Sequence, residues 1–352
     1  MPITIHSRVV TLRQLEGSPG APWERPLGGR FERLVVESEL LAGNPLGDPH
    51  RRPLYVYSAP GAGEASGVPA IFMLQGYGGQ LDTWLARKSF DRTTIERLDA
   101  LFSGGDCPPA IVVFVDAWTS LGGSQFINSA ATGRYMDYLC DEVAPFIEAR
   151  YGTAARGVSG HSSGGYGAMV SAMLRPDVFS AFASHAGDAL FEYCYMREFP
   201  VAARQLRDHF ERSFEILLRR VREADPFDWS SFGAALSTYA MAAAYAPGPD
   251  GPELPFEIKT GRLIDDVWQR WLRWDPVRMA THHAEALRSM RRVYLDAGRR
   301  DEFFLDLAAG AFSAELQRLG VEHTLELFDG GHGNVSNRYP LAVRELVLAL
   351  GD

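Results

Sequence analysis

The chain has 352 residues, and its 35 lysines and arginines against 44 aspartates and glutamates give a net charge of −9 at pH 7. That length suffices for one large α/β domain or for a core domain that carries an insertion. Because no stretch concentrates the basic side chains into a stripe, the composition disfavours a nucleic-acid partner.

The first part of the chain predicts strands. Residues 31–41 and 53–58 have strand-like patterns on either side of the turn-rich segment 43–49, which indicates an antiparallel hairpin. Residues 68–74 and 110–115 are short, continuous apolar runs, typical of parallel strands that are covered on both faces. We therefore expect a hairpin followed by strands of a parallel sheet.

Helical patterns alternate with these strands. Helices are predicted around residues 93–102 and over 135–151, and the second leads to a strand at Gly157-Val158-Ser159. A run of small residues at 165–172 can begin the next helix. The order β, α, β, α, β ends at the carboxyl edge of the sheet, where open parallel sheets bind their ligands.

Residues 190–288 are predicted to form an inserted helical cap, because no strand in this segment is long enough to join the sheet. Apolar residues recur at steps of three and four over 201–221, as on an amphipathic helix, and residues 264–272 mark another helix. The uncharged run 229–249 is about long enough to span a bilayer. Its alanine, serine, threonine and tyrosine content favours a buried or cleft-lining helix instead.

The chain then returns to the sheet. Strands are predicted at 292–295 and 323–328, on either side of a helix over 305–319, and a terminal helix at about 340–350. The predicted fold class is α/β, with a mostly parallel central sheet, helices on both faces and an inserted cap. The predicted domains are a core of residues 1–189 and 289–352 and a helical cap of residues 190–288.

One pentapeptide, Gly160-His161-Ser162-Ser163-Gly164, fits the GxSxG pattern of the nucleophile elbow of an α/β-hydrolase. The serine lies on a tight strand-to-helix turn, where side chains two residues before and after it would collide with the backbone. Centring the pattern on Ser159 or Ser163 would require glycine at position 161, so Ser162 is the predicted nucleophile. The bare pattern also arises by chance in glycine-rich chains, and the other site residues have to agree with it.

The predicted base is His332. A serine hydroxyl needs a base to remove its proton and an acid to orient that base, and the chain order in this fold is Ser, acid, His. Of nine histidines, only His323 and His332 lie in the region of the final strand. His332 follows that strand in a glycine-flanked loop, whereas His323 begins the strand and is expected to be structural.

The predicted acid is Asp301, which follows the strand at 292–295. Asp296 competes with it because it comes directly off that strand, and Glu302 is a weaker third candidate. Asp301 would also serve as an ordinary N-cap of the following helix, a position that aspartate favours. The sequence leaves these alternatives open.

Two backbone N–H groups are expected to stabilise the oxyanion of the tetrahedral intermediate. One belongs to Ser163, and the other to the loop Gln75-Gly76-Tyr77-Gly78-Gly79, where we expect Tyr77, with Gly76 as the alternative. A plain glycine turn is the competing interpretation of this loop.

Four residues are assigned to substrate binding: Gln75, His161, Trp268 and Trp271. The two tryptophans share an apolar helix stripe, so core packing is the stronger interpretation for them. His282-His283 lacks further ligands at useful spacing, so no metal is expected, and the chemistry needs no cofactor.

The cysteines and the N-terminus favour a cytoplasmic protein. Cys107, Cys140 and Cys194 are widely spaced and odd in number, which suggests reduced structural thiols rather than disulfides or a CxxC site. Residues 1–10 lack the apolar core of a secretory signal.

With these motifs in place, the chain resembles the putative-esterase family of α/β-hydrolases, which includes S-formylglutathione hydrolases, feruloyl and enterochelin esterases and mycolyltransferases. The resemblance covers roughly residues 31–187 and 290–348. The matching segments are Asn44-Pro45-Leu46-Gly47-Asp48, Leu54-Tyr55-Val56-Tyr57, Leu74-Gln75-Gly76, Gly122-Gly123-Ser124, Asn128-Ser129, Gly133-Arg134-Tyr135, the pentapeptide at 160–164, 298–301 and Gly331-His332.

The resemblance implies a triad of Ser162, Asp301 and His332, with the acid three residues after Gly298. One position departs from the family pattern, because Gln75-Gly76 replaces the common His-Gly of the oxyanion loop. This change keeps the backbone donors and alters the polar wall beside them.

We therefore predict a serine carboxylic-ester hydrolase that forms an acyl-enzyme and acts on a small-molecule ester. An acyltransferase that uses the same triad is the first alternative, and a peptidase is a weaker one. A non-catalytic binding protein is the alternative from another class. The sequence leaves the acyl and alcohol specificity and homo-oligomerisation open.

Overall fold

The computed structural model describes residues 26–65, 67–88, 90–223, 228–333 and 335–351. Residues 1–10, on which the prediction about a secretory signal rests, lie outside these ranges. Within the described ranges, no helix is long and apolar enough to cross a membrane.

The strands of the described residues form one large sheet and two short hairpins. In chain order they are β1 (Arg30–Glu37), β2 (Arg51–Ser58), β3 (Ala70–Leu74), β4 (Ile111–Val115), β5 (Asn128–Ser129), β6 (Gly133–Arg134), β7 (Arg156–His161), β8 (Ala181–His185), β9 (Pro247–Gly248), β10 (Gly251–Pro252), β11 (Arg292–Gly298) and β12 (Thr324–Phe328). Eight of them form the large sheet, in the order β1-β2-β4-β3-β7-β8-β11-β12. Strands β5 and β6 pair with each other, as do β9 and β10.

The central strands of the large sheet are parallel. Only the pairs β1–β2 and β2–β4 are antiparallel among its described pairings. Strands β3, β4 and β8 are buried along their whole length, as expected for strands between layers of helices. The predicted fold class is confirmed, with a mostly parallel sheet surrounded by helices.

Helices connect these strands. The helices outside the predicted cap are Thr94–Ser103, Tyr135–Asp137, a π-helical turn at Tyr138–Val143, Ala144–Tyr151, Ser163–Leu174, Leu305–Arg318 and Tyr339–Gly351, with short 3₁₀ turns at Leu81–Leu85 and Val335–Asn337. Those within it are Phe191–Cys194, the 3₁₀ turn Met196–Glu198, Phe199–His209, Phe214–Glu223, Trp229–Tyr245, Asp265–Leu272, Pro276–His282 and Ala284–Arg288.

Two predicted elements differ from the structure for identifiable reasons. The predicted strand 31–41 ends at Glu37, because the Glu142 carboxylate accepts the backbone N–H groups of Glu39 and Leu40 at 2.8 and 3.0 Å and draws them from the sheet. The predicted helix over 201–221 is two helices. Between them Glu211 and Arg212 have φ values of +52° and +61°, which no α-helix contains.

Strand β8 was not predicted from the sequence. Its residues, Ala-Phe-Ala-Ser-His, include few of the β-branched and aromatic side chains that favour strands. It is a strand because β7 and β11 flank it and satisfy its backbone groups on both sides. The carboxyl end of β8 lies beside that of β7, so the missed strand carries residues of the site.

Among the described residues of 191–288, the regular elements are helices and the short β9–β10 hairpin, and residues 253–264 are irregular. Phe199–His209 packs against Trp229–Tyr245, whereas Pro276–His282 and Ala284–Arg288 contact the helix Ser163–Leu174. Asp275 joins the two ends of this segment, because its buried carboxylate accepts the backbone N–H groups of Leu190, Phe191 and Val277. The division into a core and a separate cap stays a prediction.

Candidate active site

Ser162 lies on a sharp turn between β7 and the helix Ser163–Leu174. Its φ of +56° is a strained value for a residue with a side chain, and it exposes the hydroxyl above the sheet edge. A Cβ at Gly160 would lie 2.3 Å from the Gly164 carbonyl oxygen, and one at Gly164 would lie 2.2 Å from the Leu74 carbonyl oxygen. Both glycines of the motif are therefore required by close backbone packing.

His332 and Asp301 form a continuous hydrogen-bond path to the Ser162 hydroxyl. His332 Nε2 is 3.1 Å from Ser162 Oγ, and His332 Nδ1 is 2.8 Å from Asp301 Oδ2. Burial opposes ionisation of Asp301, but the hydrogen bond and charge of His332 and the backbone N–H groups of the loop hold the pKa of its carboxyl below the usual value. The ionised acid favours the tautomer with Nδ1 protonated, which leaves Nε2 free to accept the serine proton.

Close backbone contact joins the loop that carries Asp301 to the loop that carries His332. A Cβ at Gly298 would lie 2.4 Å from the Gly331 carbonyl oxygen, and the Arg300 N–H donates to the Gly330 carbonyl at 2.9 Å. Gly298, at the end of β11, and Gly330 and Gly331, after β12, therefore let the two loops pack directly against each other. Glu302 supports His332 by accepting its backbone N–H at 2.7 Å.

The competing acid, Asp296, is fully buried and belongs to a second network. His185 Nδ1 is 2.8 Å from Asp296 Oδ1, and His185 Nε2 is 3.3 Å from Ser159 Oγ. The Arg338 guanidinium donates to Asp296 Oδ2 at 2.9 Å. This network resembles a triad in composition, but Ser159, His185 and Asp296 are fully buried and link strands β7, β8 and β11. The other histidine considered as the base, His323, contacts Ser313 and Val321 away from the site.

The predicted oxyanion donors lie next to Ser162. A Cβ at Gly76 would lie 3.6 Å from Ser162 Cβ and 3.3 Å from the His161 carbonyl oxygen, so the 75–79 loop packs directly on the elbow. The backbone N–H groups of Tyr77 and Ser163 donate to no acceptor among the described residues. Tyr77 is held by its hydroxyl, which donates to the Leu121 carbonyl at 2.7 Å. The choice of Tyr77 over Gly76 stays a prediction.

A cavity of about 410 Å³ opens above Ser162 and His332. Its walls come from both parts of the chain and are mostly apolar. The core supplies Tyr77, Ser162, Ser163, Asp188, Phe303 and His332, and the predicted cap supplies Cys194, Tyr195, Glu198, Phe199, Trp229, Gly233, Ala234, Ser237, Thr238, Met241 and Trp271. Such a cavity fits the acyl or alcohol part of a small ester.

Three of the four residues assigned to substrate binding do not line this cavity. The Gln75 amide turns back and donates to the Gly79 carbonyl within its own loop. Trp268 is buried against Phe199 and Trp271, so its apolar stripe serves packing. Trp271 alone of the four reaches the cavity wall.

His161, the third assigned residue that does not line the cavity, contacts His332 instead. Its Nε2 donates to the His332 carbonyl at 2.8 Å, and the two rings lie 4.5 Å apart. Burial, followed by the charge of His332, lowers the pKa of His161 to about 3. His161 is therefore neutral at physiological pH and braces the loop that carries the predicted base.

Asp188 is a site residue that the sequence did not reveal, because it follows the unpredicted strand β8. Its Oδ1 is 3.4 Å from Ser162 Oγ, and its side chain lines the cavity. Burial raises the pKa of the Asp188 carboxyl, although hydrogen bonds from Tyr195 and Gln125 favour the ionised form. Within the described ranges, no cluster of His, Cys, Asp and Glu side chains could hold a metal ion.

Comparisons with known proteins identify the family and the fold of this chain. Residues 50–339 match the family model described as putative esterase. A ferulic acid esterase superposes with a TM-score of 0.56 at 17% identity, covering 93% of this chain and 99% of that one. The S-formylglutathione hydrolase of Agrobacterium tumefaciens gives 0.55 at 16% identity, covering 92% and 98%. FphF, a fluorophosphonate-binding serine hydrolase of Staphylococcus aureus, gives 0.53 at 15% identity, covering 92% and 99%.

These identities establish a shared fold. No curated protein sequence matches the chain significantly.

Proposed function

The chain belongs to the putative esterase family of carboxylic ester hydrolases, and we propose that it acts through a triad of Ser162, His332 and Asp301 and an acyl-enzyme intermediate. The observation that carries the proposal is the unbroken path from Ser162 Oγ to His332 Nε2 at 3.1 Å and from His332 Nδ1 to Asp301 Oδ2 at 2.8 Å. These distances suit proton transfer from hydroxyl to imidazole.

In the first half-reaction Ser162 Oγ attacks the ester carbonyl while His332 Nε2 takes the hydroxyl proton. Asp301 stabilises the resulting imidazolium, and the backbone N–H groups of Tyr77 and Ser163 donate to the oxyanion. His332 then gives the proton to the leaving alcohol. In the second half-reaction water attacks the acyl-enzyme, with His332 again as base, and releases the acid.

The vacant N–H groups support this assignment of the oxyanion hole. An unpaired backbone donor beside a cavity costs free energy unless water or a ligand satisfies it. Two such donors lie next to the nucleophile, one on the 75–79 loop and one on the first residue of the elbow helix. Two such donors suit the oxyanion, which forms on the former carbonyl oxygen of the carbon bonded to Ser162 Oγ.

A fluorophosphonate probe tests the proposal directly. We expect one adduct per chain, mapped by mass spectrometry to Ser162, and none in Ser162→Ala. Ser163→Ala is the matched control, because it removes the neighbouring hydroxyl but keeps its backbone N–H, and it should still label on Ser162. A folded wild-type protein that does not label, or Ser162→Ala that retains esterase activity, would contradict the triad. Adding an alcohol acceptor and measuring the product ratio separates hydrolysis from acyl transfer.

We place this reaction in the cytoplasm. The three cysteines are all free and buried, which suits a reducing compartment. Immunodetection in cell fractions tests the location, and recovery of the native protein outside the cytoplasm would contradict it.

A further inference from the structure

We propose that Asp188 determines specificity by recognising an ammonium group on the carbon next to the scissile carbonyl of the substrate, with a hydroxyl at that carbon as a weaker substitute. The enzyme would then act on α-amino acyl esters. This inference rests on the proposed role of Ser162 as the nucleophile.

Asp188 is held in place by buried hydrogen bonds. Only 6% of the residue is exposed. Its Oδ2 accepts the Tyr195 hydroxyl at 2.7 Å, the Gln125 amide at 3.2 Å and the Ser163 hydroxyl at 3.2 Å. These donors come from the predicted cap, from a core loop and from the elbow helix, so the carboxylate cannot turn away from the cavity.

The other carboxylate oxygen, Asp188 Oδ1, has one weak hydrogen-bond donor, and that donor loses its proton during the reaction. Among the described residues, Asp188 Oδ1 accepts only from Ser162 Oγ, at 3.4 Å. Ser162 has a single proton, which His332 Nε2 at 3.1 Å also attracts and which it removes during the attack. In the acyl-enzyme this buried oxygen has no donor from the described residues, and an unsatisfied buried charge is costly. A donor on the substrate would satisfy it.

The position of Oδ1 defines where that donor lies. In the acyl-enzyme the carbonyl carbon is bonded to Ser162 Oγ, which is 3.4 Å from Asp188 Oδ1. A charge-assisted hydrogen bond to Oδ1 spans about 2.8 Å. The donor therefore lies within about 6 Å of Ser162 Oγ, a range that includes an α-amino nitrogen two bonds from the carbonyl carbon. The acyl part satisfies this geometry, because it stays on the serine after the alcohol has left.

The charge of the cavity favours the same group. Of the residues that line it, none is lysine or arginine, and two are carboxylates, Asp188 and Glu198. Glu198 is paired with Arg197 at 3.0 Å, which leaves Asp188 as the lining carboxylate without an arginine or lysine partner, with the His332 imidazole as the nearby basic group. The aromatic rings of Tyr195, Trp229 and Trp271 complete walls that suit an apolar body with a cationic group.

The same charge acts on the transition state. An ionised Asp188 repels the oxyanion that forms beside Ser162, and a substrate ammonium between them offsets this repulsion. Removal of the charge should therefore slow ammonium esters and speed neutral ones. Opposite effects on two substrates are not expected from a merely structural role.

The experiment compares four ethyl esters of one 3-phenylpropionyl skeleton that differ only at the α-carbon, which carries ammonium, hydroxyl, hydrogen or carboxylate. Rates are measured at about pH 6.5, below the ordinary pKa of an α-amino group. For the wild type we expect kcat/KM to fall in that order, with a ratio of at least about 30 between the ammonium and hydrogen esters. In Asp188→Asn this ratio should fall at least about 30-fold, and the carboxylate ester should become a substrate.

The control is Asp250→Asn, which makes the same charge change at an exposed position and should keep the wild-type ratio. If Asp188→Asn does not fold, the wild-type series alone decides the question. An ammonium ester that is no better than the hydrogen ester, while the latter is hydrolysed and Ser162 labels with fluorophosphonate, overturns the role of Asp188 and leaves the triad standing. Absence of both hydrolysis and labelling overturns the triad and the role of Asp188 together.

Discussion

Replacing Asp301 by asparagine tests the path from acid to base, because it removes the charge and keeps the size of the side chain. Two unit charges about 4 Å apart interact by about 4 kcal/mol at the effective permittivity of a protein surface, which corresponds to about three decades in rate. The asparagine amide can also donate to His332 Nδ1 and favour the wrong tautomer. We therefore expect kcat to fall at least about 10³-fold.

Asp296→Asn is the matched control, since the sequence alone left both aspartates as candidates. This change removes one partner of the buried network with His185 and Arg338, where a broken buried pair costs about 3 kcal/mol. We expect lower stability in urea and a kcat per folded molecule close to that of the wild type. Asp301→Asn should show the reverse, because an asparagine oxygen can still accept the Phe303 N–H.

The assay is the hydrolysis of p-nitrophenyl acetate by each variant, with urea unfolding of the same samples. The reasoning fails if Asp301→Asn retains kcat within about tenfold of the wild type, about 1.4 kcal/mol in barrier. It also fails if folded Asp296→Asn loses as much kcat as Asp301→Asn.

Three further variants test the scaffold. The pKa of His161 is about 3 in the folded protein and about 6.5 in the unfolded chain. Above pH 6.5 the ring is neutral in both states. As the pH falls from 6.5 towards 3, protonation favours the unfolded chain, and the free energy of unfolding decreases by up to about 1.4 kcal/mol per pH unit. Urea unfolding should show a steeper loss for the wild type than for His161→Gln, and equal slopes would contradict the shifted pKa. Asp275→Ala leaves three backbone N–H groups without their acceptor and should lower the free energy of unfolding in urea by at least about 3 kcal/mol. A decrease below about 1 kcal/mol would contradict this role of Asp275. Gly164→Ala would place a Cβ 2.2 Å from the Leu74 carbonyl oxygen and should prevent folding, which circular dichroism of the purified protein measures. Gly310→Ala is the control, because its Cβ meets nothing within 4 Å, and it should fold. A Gly164→Ala protein with native circular dichroism would contradict the close packing at this glycine.

The sequence predicted the parts of the molecule that depend on local pattern and chain order. Continuous apolar runs identified the buried strands β3 and β4, and the confirmed fold then required an acid and a histidine after the elbow in that order. The structure brings Asp301 and His332 together with Ser162, whereas Asp296, only five positions earlier, points into the core. The predicted strand ended at residue 295 and left both aspartates after it, whereas β11 extends to Gly298 and includes Asp296.

The parts that the sequence missed depend on tertiary contacts. Strand β8 is formed by its neighbours rather than by its own propensity, and Asp188 was missed with it. Gln75 and His161 lie outside the cavity lining, because the Gln75 amide donates within its own loop and the His161 ring donates to the His332 carbonyl. Trp268 and Trp271 share a helix face and both pack against Phe199, and only the tertiary structure shows that Trp271 is the one that lines the cavity.

The cavity has walls of two separate origins, and this has an evolutionary consequence. The hydrogen-bond path among Ser162, His332 and Asp301 comes from loops that bind tightly to the sheet, whereas much of the opposite wall is one alanine-rich helix, Trp229–Tyr245. Replacing an alanine of that helix by a larger residue would shorten the space for the acyl group without moving any reacting atom. Related proteins can therefore diverge in substrate specificity while they keep the same proposed triad.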